Sequence, residues 1–232
     1  MREITLDTET TGLDPKQGHR IVEIGCIEMV NRVRTGNSFH VYINPARDMP
    51  EEAFRIHGIS GDFLKDKPFF EKIAHEFVDF LQDSPLVIHN ASFDMKFINF
   101  ELERLKIPAI PITSSRIIDT LLLARKKFPG APASLDALCK RYKIDLSSRT
   151  KHGALLDAEL LTDVYIKLVG GTQGSLLLES VGNLLKPMKF AGKKPRPSRN
   201  FTPTALECEE HSEHLKSIKD PLWDKKSITE GA

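Results

Sequence analysis

Two rhythms of apolar positions run along this chain. In its first part, short runs rich in Val and Ile alternate with polar breaks, and Glu3–Asp7, Ile21–Val30 and Phe39–Ile43 are predicted as strands. Thr8–Gly12 breaks the first run, and a Thr-Gly-Asn signal within Asn31–Asn37 predicts the reversal between the second and third. Strand follows strand with no helix between, so the sheet should begin antiparallel. After Pro50 the rhythm lengthens. Phe69, Phe70, Ile73, Phe77, Phe80 and Leu81 recur at helical spacing and predict a helix over Phe69–Gln82. Leu86–His89, bounded by Pro85 and Asn90, predicts a short buried strand, and Ile117–Ile118 another. Helices are predicted over Phe93–Leu105, Leu121–Phe128, Ser134–Tyr142 with Ser134 as its N-cap, and Ala154–Val169. The order β-β-β-α-β-α-β-α-α-α predicts an α/β fold, a mixed sheet covered by helices.

Gly170-Gly171 closes that pattern. From Leu184 to Pro203 the chain carries Pro187, Pro195, Pro197 and Pro203 beside Lys186, Lys189, Lys193, Lys194, Arg196 and Arg199, with no acid, and is expected to be a linker. Apolar positions return at Leu206, Leu215, Ile218, Leu222 and Trp223, the one tryptophan. The expected organisation is a domain over 1–170, a linker segment over 171–203 and a terminal segment over 204–232. At roughly 150 residues per domain, 232 residues suit one good-sized domain with an appendage, or two small ones.

Composition narrows the function classes. Lys plus Arg is 33 against 32 for Asp plus Glu, so bulk charge announces no polyanion binder and any such contact must be local. Cys26, Cys139 and Cys208 stand far apart with no CxxC pair, which excludes a disulfide scaffold and a zinc ribbon and suits a reducing compartment. No apolar leader follows Met1 and no run of 18 apolar residues occurs, so the expectation is a cytoplasmic protein with no membrane contact.

The candidate chemistry is carboxylate-rich. Asp7 and Glu9, two apart at the end of the first strand, share a face, and paired carboxylates are costly unless a cation neutralises them; they also suit a turn before Gly12. Asp94 follows a strand in His89-Asn90-Ala91-Ser92-Phe93-Asp94, where α/β folds place functional groups, or where an acid answers a helix dipole. His152 and Asp157 are five apart, a spacing that turns about 140° on a regular helix, so His152 is better placed in the loop before Gly153 with Asp157 inside the helix. Either could also be an ordinary surface residue.

Taken together, Asp-Thr-Glu-Thr-Thr-Gly at 7–12, His-Asn-Ala-Ser-Phe-Asp at 89–94 and His-x4-Asp at 152–157 resemble, in order, the motif blocks of the DEDDh family of 3′→5′ exonucleases. Ile21-Val22-Glu23-Ile24-Gly25, Phe54-Arg55-Ile56-His57-Gly58-Ile59 and Ser134-Leu135-Asp136-Ala137-Leu138-Cys139 are similar to the branch that proofreads for bacterial replicative polymerases. The resemblance implies a ribonuclease H-like fold with later strands parallel. It implies Asp7, Glu9, Asp94 and Asp157 as ligands of two divalent cations, Mg²⁺ or Mn²⁺, His152 as general base, and nucleoside 5′-monophosphates as products. It places Asp7, Glu9, Thr10, His57, Asn90, Phe93 and Asp157 near the terminal nucleotide. Phe93 could equally be a core aromatic and His57 a turn residue. Gln173, Ser175, Leu176 and Leu178 resemble a sliding-clamp-binding segment, or continue an apolar helix. The implied partners are a DNA 3′ end, the alpha subunit of DNA polymerase III docked by the terminal segment, the sliding clamp and a small theta-like subunit. Cys208-x2-His211-x2-His214 has a ligand-like look but lacks a fourth ligand. The alternatives within and beyond the family are a free-standing nuclease acting on RNA and a scaffold without catalysis.

Overall fold

The computed structural model describes residues 1–147, 151–170 and 202–219. The chain divides into two units, Met1–Leu177 and Leu178–Ala232. The first is built on a five-stranded sheet of β1 (Arg2–Thr10), β2 (Ile21–Val30), β3 (Val33–Tyr42), β4 (Leu86–Ile88) and β5 (Ile117–Asp119), in the order β3-β2-β1-β4-β5. β1 runs antiparallel to β2 and parallel to β4; β2–β3 is antiparallel and β4–β5 parallel. This is the mixed sheet that the element order predicts.

Two strand expectations are corrected. β1 does not break at Thr8 but runs on to Thr10, pairing Glu9 with Glu23 and slipping register only between Glu9 and Thr10. The β-branched threonines there tolerate extended backbone as well as a turn does. The β2–β3 reversal is a tight turn at Asn31 and Arg32, both at positive φ (53° and 63°), the geometry whose twist suits a two-residue hairpin. Thr35-Gly36-Asn37 makes a bulge inside β3 instead: register jumps between Ile27↔Ser38 and Met29↔Arg34. The Thr35 hydroxyl and the Asn37 amide donate to Glu28 at 2.6 and 2.8 Å. The motif marks a positive φ, which Gly36 adopts at 89°, but not the chain reversal.

Helices α1 (Glu51–His57), α2 (Gly61–Leu64), α3 (Phe70–Leu81), α4 (Ala91–Arg104), α5 (Thr120–Lys127), α6 (Leu135–Tyr142) and α7 (Ala154–Leu168) complete the unit. One face of the sheet packs against α3 and α4, where Ile4, Leu6, Ile24 and Cys26 meet Phe70, Phe77, Met95 and Ile98, all buried. The other face meets α7 through Met29, Val87 and Tyr165, and α5 and α6 pack on α7 through Ala124, Leu138, Leu161 and Val164. α1 and α2 escape prediction because two turns or fewer carry no periodic signal.

In the second unit, α8 (Ala205–Ser217) opens on a capping box in which Thr204 and Glu207 satisfy each other's backbone, and it buries no residue. Leu206 and Ile218 are exposed. Leu222, Trp223 and the four clamp-segment residues Gln173, Ser175, Leu176 and Leu178 lie outside the described residues. Among the described residues no helix is long and apolar enough to cross a membrane.

Candidate active site

The site grows out of the period-two alternation of β1. Its odd positions face α7. The Tyr165 hydroxyl donates to Glu3 at 2.6 Å, and the Thr5 and Thr162 hydroxyls meet at 2.6 Å, all four groups buried. Continuing the row, Asp7 and Glu9 come opposite the N-terminal turn of α7, which carries Asp157. Deep polar pairing thus gives way, toward the carboxyl end of β1, to a cluster of acids.

Asp94 reaches the cluster from the other side of the sheet. Its Oδ1 accepts the Thr8 backbone N–H at 3.1 Å and the Thr8 hydroxyl at 2.7 Å, so the first turn of α4 is tied to the tip of β1. His152 sits in the loop before α7, its Nδ1 3.1 Å from Asp157 Oδ2. Half of the imidazole stays exposed while Asp157 is buried. The His152 N–H also donates to the Ile56 carbonyl at 3.4 Å, joining this loop to the end of α1. The sequence separation of five is thus accommodated by the loop-then-helix placement.

Electrostatics state what the cluster lacks in protein alone. Burial pushes the Asp7 carboxyl well above its ordinary value, and the charges of Asp94, Glu9 and Asp157 push it further. Burial raises Asp94 to about 7 even though its hydrogen bonds from Thr8 pull the other way. Ligand atoms of Glu9, His152 and Asp157 all lie within 4.8 Å of one another. Oxygen atoms of Glu9 and Asp157 so close together, beside Asp7 and Asp94 whose burial makes them costly to ionise, are a donor set that fits a hard divalent cation. Among the described residues this is the one such group, and Cys208, His211 and His214 do not form another.

A cleft of about 320 Å³ opens beside the cluster, lined by Glu9, Thr10, Leu13, Glu52, Ile56 and His57 among others. His57 is buried, and burial holds its imidazole below the ordinary value. Its Nδ1 accepts the Ile59 N–H at 3.0 Å, which puts the ring proton on Nε2, and Nε2 lies near the Thr10 backbone without a hydrogen bond of good geometry among the described residues. A buried donor at the wall of a cleft is ready for a ligand acceptor. Asn90 and Phe93 do not line this cleft. Asn90, exposed at φ 66°, borders a separate cavity with His89, Arg125 and Ser134, and Phe93 packs on the core with its ring 5.2 Å from that of Phe97.

Four further groups shape the site without standing out in the sequence. Thr8 holds Asp94. Glu52 lines the cleft from α1. Asp119 accepts the N–H groups of Asn90 and Ala91 at 3.3 and 3.1 Å, at the start of α4, and those of Leu121 and Leu122 at 2.8 and 3.2 Å, at the start of α5. Glu23 accepts the Ala154 N–H at 3.0 Å, at the start of α7. Nothing local distinguishes such acids, although Asp119 before a helical run is a recognisable N-cap signal.

A mixed sheet of this order with an acid cluster and one imidazole at the carboxyl end of its central strand defines a ribonuclease H-like 3′→5′ exonuclease of the DEDDh type. The exonuclease family model matches residues 4–165. A solved structure of exonuclease X in complex with 5′ overhanging duplex DNA is 28% identical and superposes with a TM-score of 0.57, covering 72% of this chain and 90% of that one. The nuclease domain of 3′hExo, a DEDDh family member bound to rAMP, shares the fold at 17% identity with a TM-score of 0.61, over 72% of this chain and 91% of that one. The DNA polymerase III subunit epsilon of Rickettsia felis is 56% identical over 222 residues, 94% of this chain and 97% of that protein. The chain belongs to the family of DNA polymerase III epsilon subunits, divalent-metal-dependent 3′→5′ DNA exonucleases.

Proposed function

We propose that this chain edits newly replicated DNA as the exonuclease subunit of a DNA polymerase III, removing mispaired 3′-terminal nucleotides one at a time as 5′-monophosphates. The observation that carries the reading is the convergence of Asp7, Glu9, Asp94 and Asp157 with His152 at one end of β1 in a chain so similar to an epsilon subunit.

Asp7, Glu9, Asp94 and Asp157 are the residues to hold two divalent cations, Mg²⁺ or Mn²⁺. When bound, the cations supply positive charge that neutralises the scissile phosphate and makes water more acidic. His152 is the general base. With its Nδ1–H donating to Asp157, Nε2 is the nitrogen that takes the proton as water oxygen bonds to phosphorus. The bond from phosphorus to the 3′ oxygen of the preceding nucleotide breaks, and that oxygen takes a proton from solvent. Thr10 and His57 hold the terminal nucleotide in the cleft, with Asn90 and Phe93 contacting the strand nearby. A mispaired end frays at little cost and so reaches this pocket more often than a paired one.

The proposed organisation is a nuclease domain over 1–170, a clamp-binding segment and basic linker over 171–203 with Gln173, Ser175, Leu176 and Leu178 seating on the sliding clamp, and a polymerase-docking segment over 204–232. The polymerase alpha subunit is the proposed docking partner, a theta-like subunit a further one, and the cytoplasmic replication machinery the place of action. End-labelled single-stranded DNA and RNA, incubated with Mg²⁺ or Mn²⁺, test the catalytic core of the reading. Stepwise shortening of DNA from the 3′ end, lost in the double variant Asp7→Ala, Glu9→Ala, is expected. Activity that persists in the double variant, or digestion confined to RNA, overturns it.

A further inference from the structure

α7 is the element whose placement matters most, because its first turn carries Asp157 and the loop before it carries His152. Its N-cap is Gly153, which has no side chain with which to cap. The exposed N–H groups of a helix start need an acceptor, and one is supplied from across the sheet. Glu23 lies on β2 directly opposite Glu9 and is 2% exposed. Its Oε2 accepts the Ala154 N–H at 3.0 Å, and its Oε1 lies 2.7 Å from His40 Nε2 on β3. The floor beneath is equally closed: a Cβ on Gly25 would lie 2.3–2.4 Å from the backbone of Ala154 and Leu155. The other acid-bearing helix, α4, has the same device. Its N-cap Asn90 makes no side-chain cap, and Asp119 of β5 accepts from the first backbone N–H groups instead.

We infer that Glu23 is a positioning residue for the hydrolytic reaction, a cap lent by β2 that sets the start of α7 and through it the placement of Asp157 and His152 against Asp7 and Glu9. The inference rests on the proposed catalytic roles of those residues. Its physical content is that Glu23 acts through the oxygen it offers to Ala154, not through its charge. The carboxylate meets the Ala154 N–H, His40 Nε2 and the Tyr42 hydroxyl, and an amide can keep the contact that matters here: a Gln at 23 can aim its carbonyl at Ala154 N–H and its NH₂ at His40 Nε2. Shortening the side chain by one methylene withdraws the oxygen while keeping the charge. A misplacement of the order of 1 Å at a reacting group can cost about a hundredfold in rate.

The test is a four-way comparison in the full chain of wild type, Glu23→Gln, Glu23→Asp and Glu23→Ala, each checked for folding by circular dichroism. kcat and KM are measured on single-stranded DNA, and Mn²⁺ affinity is measured separately by the electron paramagnetic resonance signal of the free ion. Glu23→Gln is expected to stay within about threefold of wild type in kcat and Mn²⁺ affinity. Glu23→Asp and Glu23→Ala should lose about tenfold or more in kcat with KM within about twofold, and should bind Mn²⁺ several-fold more weakly. Should Glu23→Ala fail to fold, the order of the Gln and Asp variants decides. A Gln variant as impaired as the Asp variant, or more so, means that the charge itself is used and overturns the inference. Variants that all match wild type in kcat and Mn²⁺ affinity overturn it too, even if their melting temperatures fall. Wild-type protein without activity in Mg²⁺ and Mn²⁺ would instead remove the underlying assignment.

Discussion

At Asp7 a half-buried carboxylate is crowded by Asp94, Glu9 and Asp157, so its ionised form is disfavoured in the cation-free protein. Asp7→Asn keeps the shape and removes the charge. It should raise the melting temperature of the cation-free protein, while lowering exonuclease activity at least about a hundredfold. Calorimetry in EDTA beside a labelled-strand assay reads both, and a variant that melts lower than wild type in EDTA contradicts the crowding argument. The same groups set a pH dependence. Asp7 and Asp94 have folded-state values above their unfolded ones, Asp94 at about 7, so between about 4 and 7 the native state binds more protons than the unfolded state and stability falls as pH rises. Divalent cations remove that cost. Magnesium should therefore raise the melting temperature more at pH 8 than at pH 5, a difference that Asp7→Asn shrinks. Glu28 moves oppositely: hydrogen bonds from Thr35 and Arg2 lower it to about 2, so what it contributes is present above about pH 4.5 and is lost as pH falls toward 2. Acid unfolding monitored for wild type and Glu28→Gln should show the wild type losing more stability across that window.

Gly25 shows how an element, rather than a residue, carries function. Gly25→Ala drives a methyl group into the backbone of Ala154 and Leu155, and overpacking of that kind costs about 1–3 kcal/mol. The strain falls on the start of α7, so activity should drop about tenfold or more at temperatures where the variant remains folded, with little change in KM. Unaltered kcat in the folded variant would show that α7 tolerates the shift. Legibility from sequence follows the same division between local and long-range causes. β2 is readable as a continuous run rich in Val and Ile, buried on both faces, and the long helices α3, α4 and α7 because each buries a stripe with the period of its own backbone, as Phe70, Ile73, Phe77 and Leu81 do in α3. Asp7, Glu9, Asp94, His152 and Asp157 stood out because they lie at strand ends and helix starts in motif blocks. The seven residues of α1 carry no periodic signal, so nothing local marks Glu52, and His57 is marked only by the family resemblance. The reversal at Asn31–Arg32 was misplaced because Thr35-Gly36-Asn37 offers the stronger positive-φ signal next door. Glu23 and Asp119 act on backbone groups far along the chain, and no local pattern records a partner 131 residues away.

For the whole molecule, the division of labour follows from where burial ends. The cleft, all five side chains proposed to carry the chemistry and nearly all of the sheet and its helices lie within residues 4–165, the span of the exonuclease family model. In contrast, the 13-residue α8 buries no side chain. A helix of that length is marginal in water on its own even with a capping box, so exposed Leu206 and Ile218 have most to gain from a partner surface. Chemistry and docking should therefore separate. A chain ending at residue 203 should digest free single-stranded DNA with the kcat and KM of the full chain. In the presence of the polymerase alpha subunit it should lose most of its advantage on a mismatched primer terminus at nanomolar concentration, because a tether raises the effective concentration of the nuclease at the primer end far above that. Co-purification with the alpha subunit should fall in parallel. Should the shortened chain recover as much polymerase as the full one while trimming mismatched primers equally fast, residues 204–232 are not the tether. Should it fail on free strands as well, the tail contributes to the nuclease itself, and the separation drawn from burial does not hold.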